Sequence, residues 1–161
     1  MVATNKNAFT VLEIIIAIFI LNLAVFGTFI LIQQTLIGAS LNQLQLTSYY
    51  LGQEGMEIVR NIRDTNWLKR QEWTTGLAVG AGWQEADYQS TALVTSQSRL
   101  LQIDSNGFYN YSSGDNTVFK RRIRITPISD YLQVEVIVDW TDRGKDYSVE
   151  VIDFLYNWYA S

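Results

Sequence analysis

The chain of 161 residues has no cysteine, no histidine and a single proline, Pro127. Without cysteine no disulfide can stabilise the fold, and without histidine the commonest general base and metal ligand is missing. Charged residues are also few, at 17% of the chain, with a formal net charge of −4. This composition argues against triad and zinc chemistry, predicts neither a cofactor nor a metal site, and differs from the basic composition of a dedicated nucleic-acid binder.

A long apolar stretch lies near the N-terminus, at residues 9–32, and Glu13 is its only charged residue. Residues 14–32 are nineteen in a row without a charge. As a helix they would extend roughly 28 Å at ~1.5 Å per residue, about the hydrocarbon thickness of a bilayer. The stretch exceeds the apolar core of a secretory signal peptide, although Gly38-Ala39-Ser40 leaves a cleaved signal peptide open as an alternative. We therefore predict a membrane-spanning helix.

Two interpretations of Glu13 remain open. A carboxylate inside a membrane segment is costly, and such residues usually have a function and a partner of opposite charge. Alternatively, Glu13 is an ordinary acid in the first turn of a helix, where the helix dipole stabilises it by about 0.3 to 1 kcal/mol.

The charges that flank the apolar stretch predict its orientation. Lys6 and the chain amine precede it without any acid, whereas the acids gather after Gln53. By the positive-inside rule the N-terminus lies in the cytoplasm and the rest of the chain outside it.

The helix is predicted to continue past the apolar stretch as an amphipathic half and to end near Trp67. Steps of four and three residues place one set on a single face: Ile37, Leu41, Leu44, Ser48, Leu51, Gly55, Ile58 and Ile62. A coiled coil would require large residues along this seam. The small residues Ser48, Gly52 and Gly55 instead favour a β-sheet packed closely across the helix.

The remainder predicts a loop and then antiparallel strands. Residues 69–83 contain three glycines but match no phosphate-binding pattern, so we interpret them as a loop. Asn106-Gly107 predicts a hairpin between residues 101–104 and 108–111. Residues 119–125 form a further strand, and residues 132–140 alternate between apolar and polar, as in a strand with one buried face.

A second hairpin is predicted at residues 141–144, with Gly144 in a left-handed conformation. The returning strand places Tyr147, Val149 and Val151 on alternate positions. The chain then ends in an aromatic cluster at residues 154–159, which we expect to be buried in the core.

Together these features resemble the type IV prepilin family. The resemblance rests on a short polar leader with Lys6, then Ala8, then Phe9-Thr10-Val11-Leu12-Glu13, then a long apolar helix. The family's leader usually ends in glycine, where this chain has Ala8. The C-terminal part, with Asp-Trp-Thr-Asp-Arg-Gly before a final strand and Asn-Trp near the end, is similar to minor pilins and minor pseudopilins.

The resemblance implies an α+β fold, with a long N-terminal helix packed under a small antiparallel sheet. Its implied divisions are a leader at residues 1–8, a spanning and filament-core helix at 9–36, an amphipathic half at 37–67 and a β-sheet head at 68–161. It also implies cleavage between Ala8 and Phe9 by a membrane-embedded peptidase that methylates the new amine. Glu13 would then pair with the Phe9 amine of a neighbouring subunit, and the other partners would be membrane lipid and an inner-membrane assembly platform.

Other functions remain open at this stage. Lys120, Arg122 and Arg124 share one face of a strand near aromatic residues, so a DNA-binding or adhesive pilin is the nearest alternative. A plain single-pass membrane anchor would explain the apolar stretch equally well. An anchored enzyme or calcium site would use carboxylates, and the candidates are Glu85 with Asp87, or Asp139 with Asp142 and Asp146. Neither group follows an ordered catalytic or calcium-ligand pattern.

Overall fold

A computed structural model describes residues 10–159 of the chain. The first element is helix α1, Val11–Leu68, which continues for 58 residues without a break. Thr10 caps its N-terminus, because the backbone N–H of Glu13 donates to the Thr10 hydroxyl at 3.2 Å. The chain divides into two compact units, Met1–Asn42 and Gln43–Ser161, and residues of α1 belong to both.

The helix ends where the sequence predicts, through a turn that closes its last carbonyls. The N–H of Arg70 donates to the Trp67 carbonyl at 2.9 Å, and the N–H of Gln71 donates to the Asn66 carbonyl at 2.8 Å. These two bonds form a Schellman motif with Arg70 as its left-handed residue, at φ 54°. Glycine usually occupies this position, so Arg70 holds it at some conformational cost.

The strands form two antiparallel sheets. The larger has five strands in the order β2-β1-β6-β7-β8, and the smaller has three in the order β4-β3-β5. Their bounds in chain order are β1 Trp83–Glu85, β2 Val94–Thr95, β3 Gln102–Ile103, β4 Tyr109–Asn110, β5 Asp115–Asn116, β6 Phe119–Ile128, β7 Tyr131–Asp142 and β8 Lys145–Tyr156.

Two-residue turns join the three long strands into a meander, since Ile128 pairs with Tyr131 and Asp142 pairs with Lys145. In the second turn both Arg143 and Gly144 have positive φ, at 50° and 75°. This is the signature of a type I′ turn, whose twist matches that of the flanking strands. The sequence analysis identified the left-handed Gly144 but not Arg143.

The predicted contact between helix and sheet is confirmed. Gly52 and Gly55 lie where the sheet comes nearest to the helix: a Cβ added at Gly52 would lie 2.8 Å from Cγ2 of Val151, and one added at Gly55 would lie 2.9 Å from Cγ1 of Val136. Ser48 beside them is fully buried. The chain therefore has the α+β fold predicted from its sequence, with the core between α1 and the large sheet.

The apolar face of β7 supplies much of this core. Every second residue along β7 is buried: Leu132, Val134, Val136, Val138 and Trp140. The first buried residue along α1 is Ser48. Ile37, with which the predicted apolar face of the helix starts, is exposed.

The prediction that the C-terminal aromatic cluster is buried is wrong. Phe154 and Tyr156 are about half exposed, at 46% and 52%, and Trp158 is 70% exposed. The reason is the register of β8, which turns Leu155 toward the helix and its two aromatic neighbours toward the opposite face. There Phe154 and Tyr156 pack on Tyr131, each with ring centres 5.3 Å apart.

The Asn106-Gly107 hairpin exists, but its strands are two residues long and belong to the smaller sheet. Only Gly107 has a positive φ, at 85°, so the connection is not the type I′ turn that would need both residues in that region. The Asp104 carboxylate instead accepts hydrogen bonds from the N–H groups of Asn106 and Phe108 at 2.8 and 3.0 Å. Residues 69–83 form the predicted loop, except that Trp83 begins β1.

Candidate functional site

The N-terminal part of α1 exposes large apolar side chains in an unbroken series. Among others, Ile15, Phe19, Leu23, Phe26 and Phe29 are each more than half exposed. No Asp, Glu, Lys or Arg stands between Glu13 and Glu54. The helix is long and apolar enough to cross a membrane. Contiguous apolar surface on a soluble monomer rarely exceeds a few hundred Å², so this segment needs a covering phase or partner.

Three polar side chains in this part of the helix donate a hydrogen bond to the backbone carbonyl four residues earlier. The Asn22 amide donates to the Ile18 carbonyl at 2.8 Å, and the Thr28 hydroxyl donates to the Ala24 carbonyl at 2.9 Å. Thr35 makes the same bond to Leu31 at 2.9 Å. Groups bonded in this way enter lipid or a packed helix interface at low cost, because few donors are left unpaired.

Glu13 is the third residue of α1. Thr10 and Glu13 have the spacing of a capping box, and the bond from the Glu13 N–H to the Thr10 hydroxyl is one half of that motif. The helix-start interpretation of Glu13 therefore has a local basis. This bond uses the backbone N–H, and among residues 10–159 the Glu13 carboxylate contacts no hydrogen-bond donor or cation. Ala17, Ala24 and Thr28 lie 4, 11 and 15 residues after Glu13 and share its helix face, together with the larger Ile20 and Leu21. The small residues allow another helix to approach closely at their own positions on this face.

The predicted processing residues Ala8 and Phe9 lie outside the described residues, as does the leader. The cleavage site and the amine that would pair with Glu13 therefore remain predictions. Comparison of the chain with models of protein families, with curated proteins and with solved structures finds no match.

The predicted basic stripe lies on the face of β6 that points away from the helix. Nε of Arg122 lies 3.2 Å from the Asp139 carboxylate, and Nε of Arg124 donates to Glu135 at 3.0 Å. Lys120 is exposed and stands directly opposite Asp139 in the strand register. The acids on β7 thus offset much of the positive charge that a nucleic-acid site would need.

Both guanidinium groups of this stripe also lie over the Trp83 ring, with their central carbons 4.6 and 4.4 Å from the ring centre for Arg122 and Arg124. The Trp83 ring is therefore already in contact with arginine, which reduces its availability for base stacking. The geometry favours a paired strand face over a DNA-binding surface.

Arg121 is the main polar residue that the sequence analysis missed. It is 1% exposed and lies between the sheet and the helix, where its guanidinium donates to the Leu51 carbonyl at 3.1 Å and to the Ala86 carbonyl at 2.8 Å. The Glu54 carboxylate lies 3.4 Å away. Strand alternation was the available signal, since a face that carries Lys120 and Arg122 places Arg121 on the other one.

Tyr111 extends this buried polar group. Its hydroxyl donates to the Arg121 backbone carbonyl at 3.0 Å. Burial raises the pKa of Tyr111 to about 12, so the phenol stays protonated and remains a donor at neutral pH.

Four of the five carboxylates proposed for an enzyme or calcium site have local structural partners: Glu85, Asp87, Asp139 and Asp146. Glu85 is fully buried and accepts hydrogen bonds from the Ser96 hydroxyl, from the N–H groups of Gln97 and Arg99, and from the Arg99 guanidinium. Asp87 accepts a bond from the Ser90 hydroxyl at 2.8 Å. Among residues 10–159 there is no group of three or more Asp and Glu that could hold a metal ion.

The Glu85 carboxylate should make the stability of the fold depend on pH. Burial raises its pKa, but the hydrogen bonds from Arg99, Ser96 and Gln97 outweigh this effect, so its pKa lies below the usual value. A lowered pKa stabilises the fold above the unfolded pKa of about 4.3, and that stabilisation is lost as the pH falls through the folded value. Glu85→Gln should reduce the free energy of unfolding by about 1 to 3 kcal/mol at pH 7. Below pH 4 the free energy of unfolding of this variant should fall less steeply than that of the parent chain. Urea unfolding at pH 7 and pH 3.5 measures both effects.

The exposed Glu150 on β8 provides the matched control. Glu150→Gln should change the free energy of unfolding by less than about 0.5 kcal/mol at either pH. Equal pH profiles for the parent chain and Glu85→Gln would contradict the role assigned to Glu85.

Proposed function

We propose that this chain is a subunit of a type IV pilus or a related pseudopilus, most like the minor components that initiate or cap the filament. The observation that carries the proposal is the exposed, charge-free half of α1 headed by a single acid, Glu13, in a helix whose other half packs under an antiparallel sheet. The Phe9-Thr10-Val11-Leu12 sequence directly before Glu13 adds support.

Maturation follows from the motif. A membrane-embedded peptidase and methyltransferase cuts between Ala8 and Phe9 on the cytoplasmic side and methylates the new amine. Removal of Lys6 with the leader leaves Glu13 and the Phe9 amine as the only charges near the start of the mature helix. Before assembly the apolar segment holds the subunit in the inner membrane with its head outside the cytoplasm.

Assembly exchanges lipid contacts for contacts with other subunits. The assembly platform lifts the helix from the bilayer into the filament core, where the surface that faced lipid packs against other copies. In that low-dielectric core an unpaired Glu13 carboxylate is costly, and the Phe9 amine of the adjacent subunit neutralises it. Breaking such a buried pair by removing one member costs about 3 to 5 kcal/mol.

Glu13→Ala should therefore be processed and folded but should enter filaments at least about 100-fold less than the parent chain, because each insertion leaves a Phe9 amine without its counter-ion. The measurement is the amount of tagged subunit in sheared filaments, together with the mass of the membrane-extracted and filament-derived chains. Both chains should begin at N-methyl-Phe9.

Glu72→Ala is the matched control, since Glu72 is an exposed acid in the loop after α1. It should assemble like the parent chain. Normal assembly of Glu13→Ala would contradict the pairing, and an intact Met1 in filaments would contradict the cleavage.

The alternatives account for less of the chain. A plain membrane anchor explains the length of the apolar segment and allows Glu13 a role at the helix start, but it gives no role to the motif before Glu13. A DNA-binding pilin would rely on Lys120, Arg122 and Arg124, whose charge is largely offset by Glu135 and Asp139. Neither a catalytic role nor a cofactor is part of the proposal.

A further inference from the structure

A pocket of about 450 Å³ opens between the C-terminal turns of α1 and the two loops at residues 71–76 and 88–92. Its volume lies within the range of small-molecule sites. Its apolar lining residues are Ile58 and Ile62, which are almost fully buried, and the exposed Ala92. This pocket lies within the unit Gln43–Ser161 and shares no residue with the assembly segment.

Hydrogen bonds hold the walls of the pocket in place. The Asn66 side chain donates to the Thr75 carbonyl at 2.8 Å, which ties the first loop to the helix. The N–H of Leu93 donates to the Gly76 carbonyl at 2.8 Å, which ties the second loop to the first. The pocket is therefore formed in advance, and a ligand would not have to order it.

The rim is rich in amides and hydroxyls and poor in charge. Asn61, Gln71, Gln89 and Thr91 line it, and of its described lining residues Lys69 alone is charged. Amides and hydroxyls both donate and accept hydrogen bonds. No lining carboxylate is present among the described residues to attract a cation, and a single lysine is too little positive charge for a nucleic acid.

An aromatic surface adjoins the rim. Tyr88 lines the pocket at 43% exposure, and its ring packs against Phe108 with centres 5.1 Å apart. The Gln89 amide donates to the Tyr88 hydroxyl at 2.9 Å. An exposed aromatic pair offers contact area to a flat ligand with weakly polar C–H groups.

We propose that this pocket binds a neutral saccharide. A sugar ring combines the two properties that the site matches, a C–H face for Tyr88 and hydroxyls that donate and accept hydrogen bonds for the amide rim. Acetamido sugars are the best-matched class, because the rim amides can pair with the acetamido group.

The test titrates the full chain, in a detergent without sugar groups, with chitotriose, maltotriose and lactose, using saturation-transfer NMR. Chitotriose should bind saturably with a Kd on the order of 1 mM or tighter. Tyr88→Ala should weaken binding roughly tenfold, whereas Tyr88→Phe should retain it, because the ring face provides the contact.

The control is Tyr50→Ala, which removes an exposed tyrosine of α1 that does not line the pocket. It should leave the affinity unchanged. The proposal is overturned if none of the three sugars binds saturably, or if Tyr50→Ala and Tyr88→Ala weaken binding equally. Assembly into filaments is not part of this readout, so either proposal can fail without the other.

Discussion

Arg121→Ala is expected to reduce the free energy of unfolding by about 3 to 5 kcal/mol. Arg121 is among the largest fully buried side chains, so its removal leaves a cavity between sheet and helix. It also leaves the Ala86 carbonyl without the bond that Arg121 supplies and removes the ion partner of Glu54. Urea unfolding of the full chain in detergent, followed by tryptophan fluorescence, measures the change.

Two further variants separate the causes of this loss. Arg121→Met keeps most of the volume and should lose about 1 to 3 kcal/mol, the cost of the unmet hydrogen bonds. Lys120→Ala, one residue earlier on the exposed face of β6, should cost less than about 0.5 kcal/mol. Equal stability of Arg121→Ala and Lys120→Ala would show that the buried arginine does not hold the sheet to the helix.

Gly55→Ala is expected to destabilise the fold by about 1 to 3 kcal/mol, although alanine is the better helix former by up to about 1 kcal/mol. The new Cβ would lie 2.9 Å from Cγ1 of Val136 and 3.0 Å from Cδ of Arg121. Val136 has a short, branched side chain on β7, so removing this close contact requires β7 to move away from the helix. The same urea titration measures the effect.

Gly38→Ala is the matched control, because a Cβ at Gly38 meets no atom within 4 Å. It should be neutral or slightly stabilising. Since Gly55 contacts Arg121, the two substitutions should not be additive: Gly55→Ala should cost less in an Arg121→Ala background. A stabilising Gly55→Ala in the parent chain would contradict the close approach of helix and sheet.

Much of the fold could be predicted because two periodicities run cleanly through the sequence. The four-and-three spacing of α1 and the alternation of β7 each identify a buried face, and the small residues on the helix indicate where the two faces meet. No glycine marks the end of α1 near Trp67, and the structure closes the helix there with Arg70 in the left-handed conformation.

The errors arose where several contacts compete. Hydrophobicity alone predicted burial of the C-terminal aromatics, but the register of β8 allows only alternate residues to face the helix, and Leu155 takes that position. Arg121 was overlooked because a charged residue in a basic run is normally solvated, and only its contacts with Leu51, Ala86 and Glu54 make burial tolerable. The pocket beside Tyr88 depends on three separate chain segments and has no sequence signal of its own.

The turns between the long strands have a consequence for how the protein forms. β6, β7 and β8 are neighbours in sequence, and hairpins with such short turns close within about 1 to 10 μs. The helix face that they cover is far away along the chain, and contacts of that kind form more slowly. The helix is synthesised before the strands, so the contact between Gly52 and Val151 can form only after β8 has been synthesised. Until then the apolar face of the helix that packs against the sheet stays exposed. Translation of β8 therefore sets the earliest time at which this face can be buried.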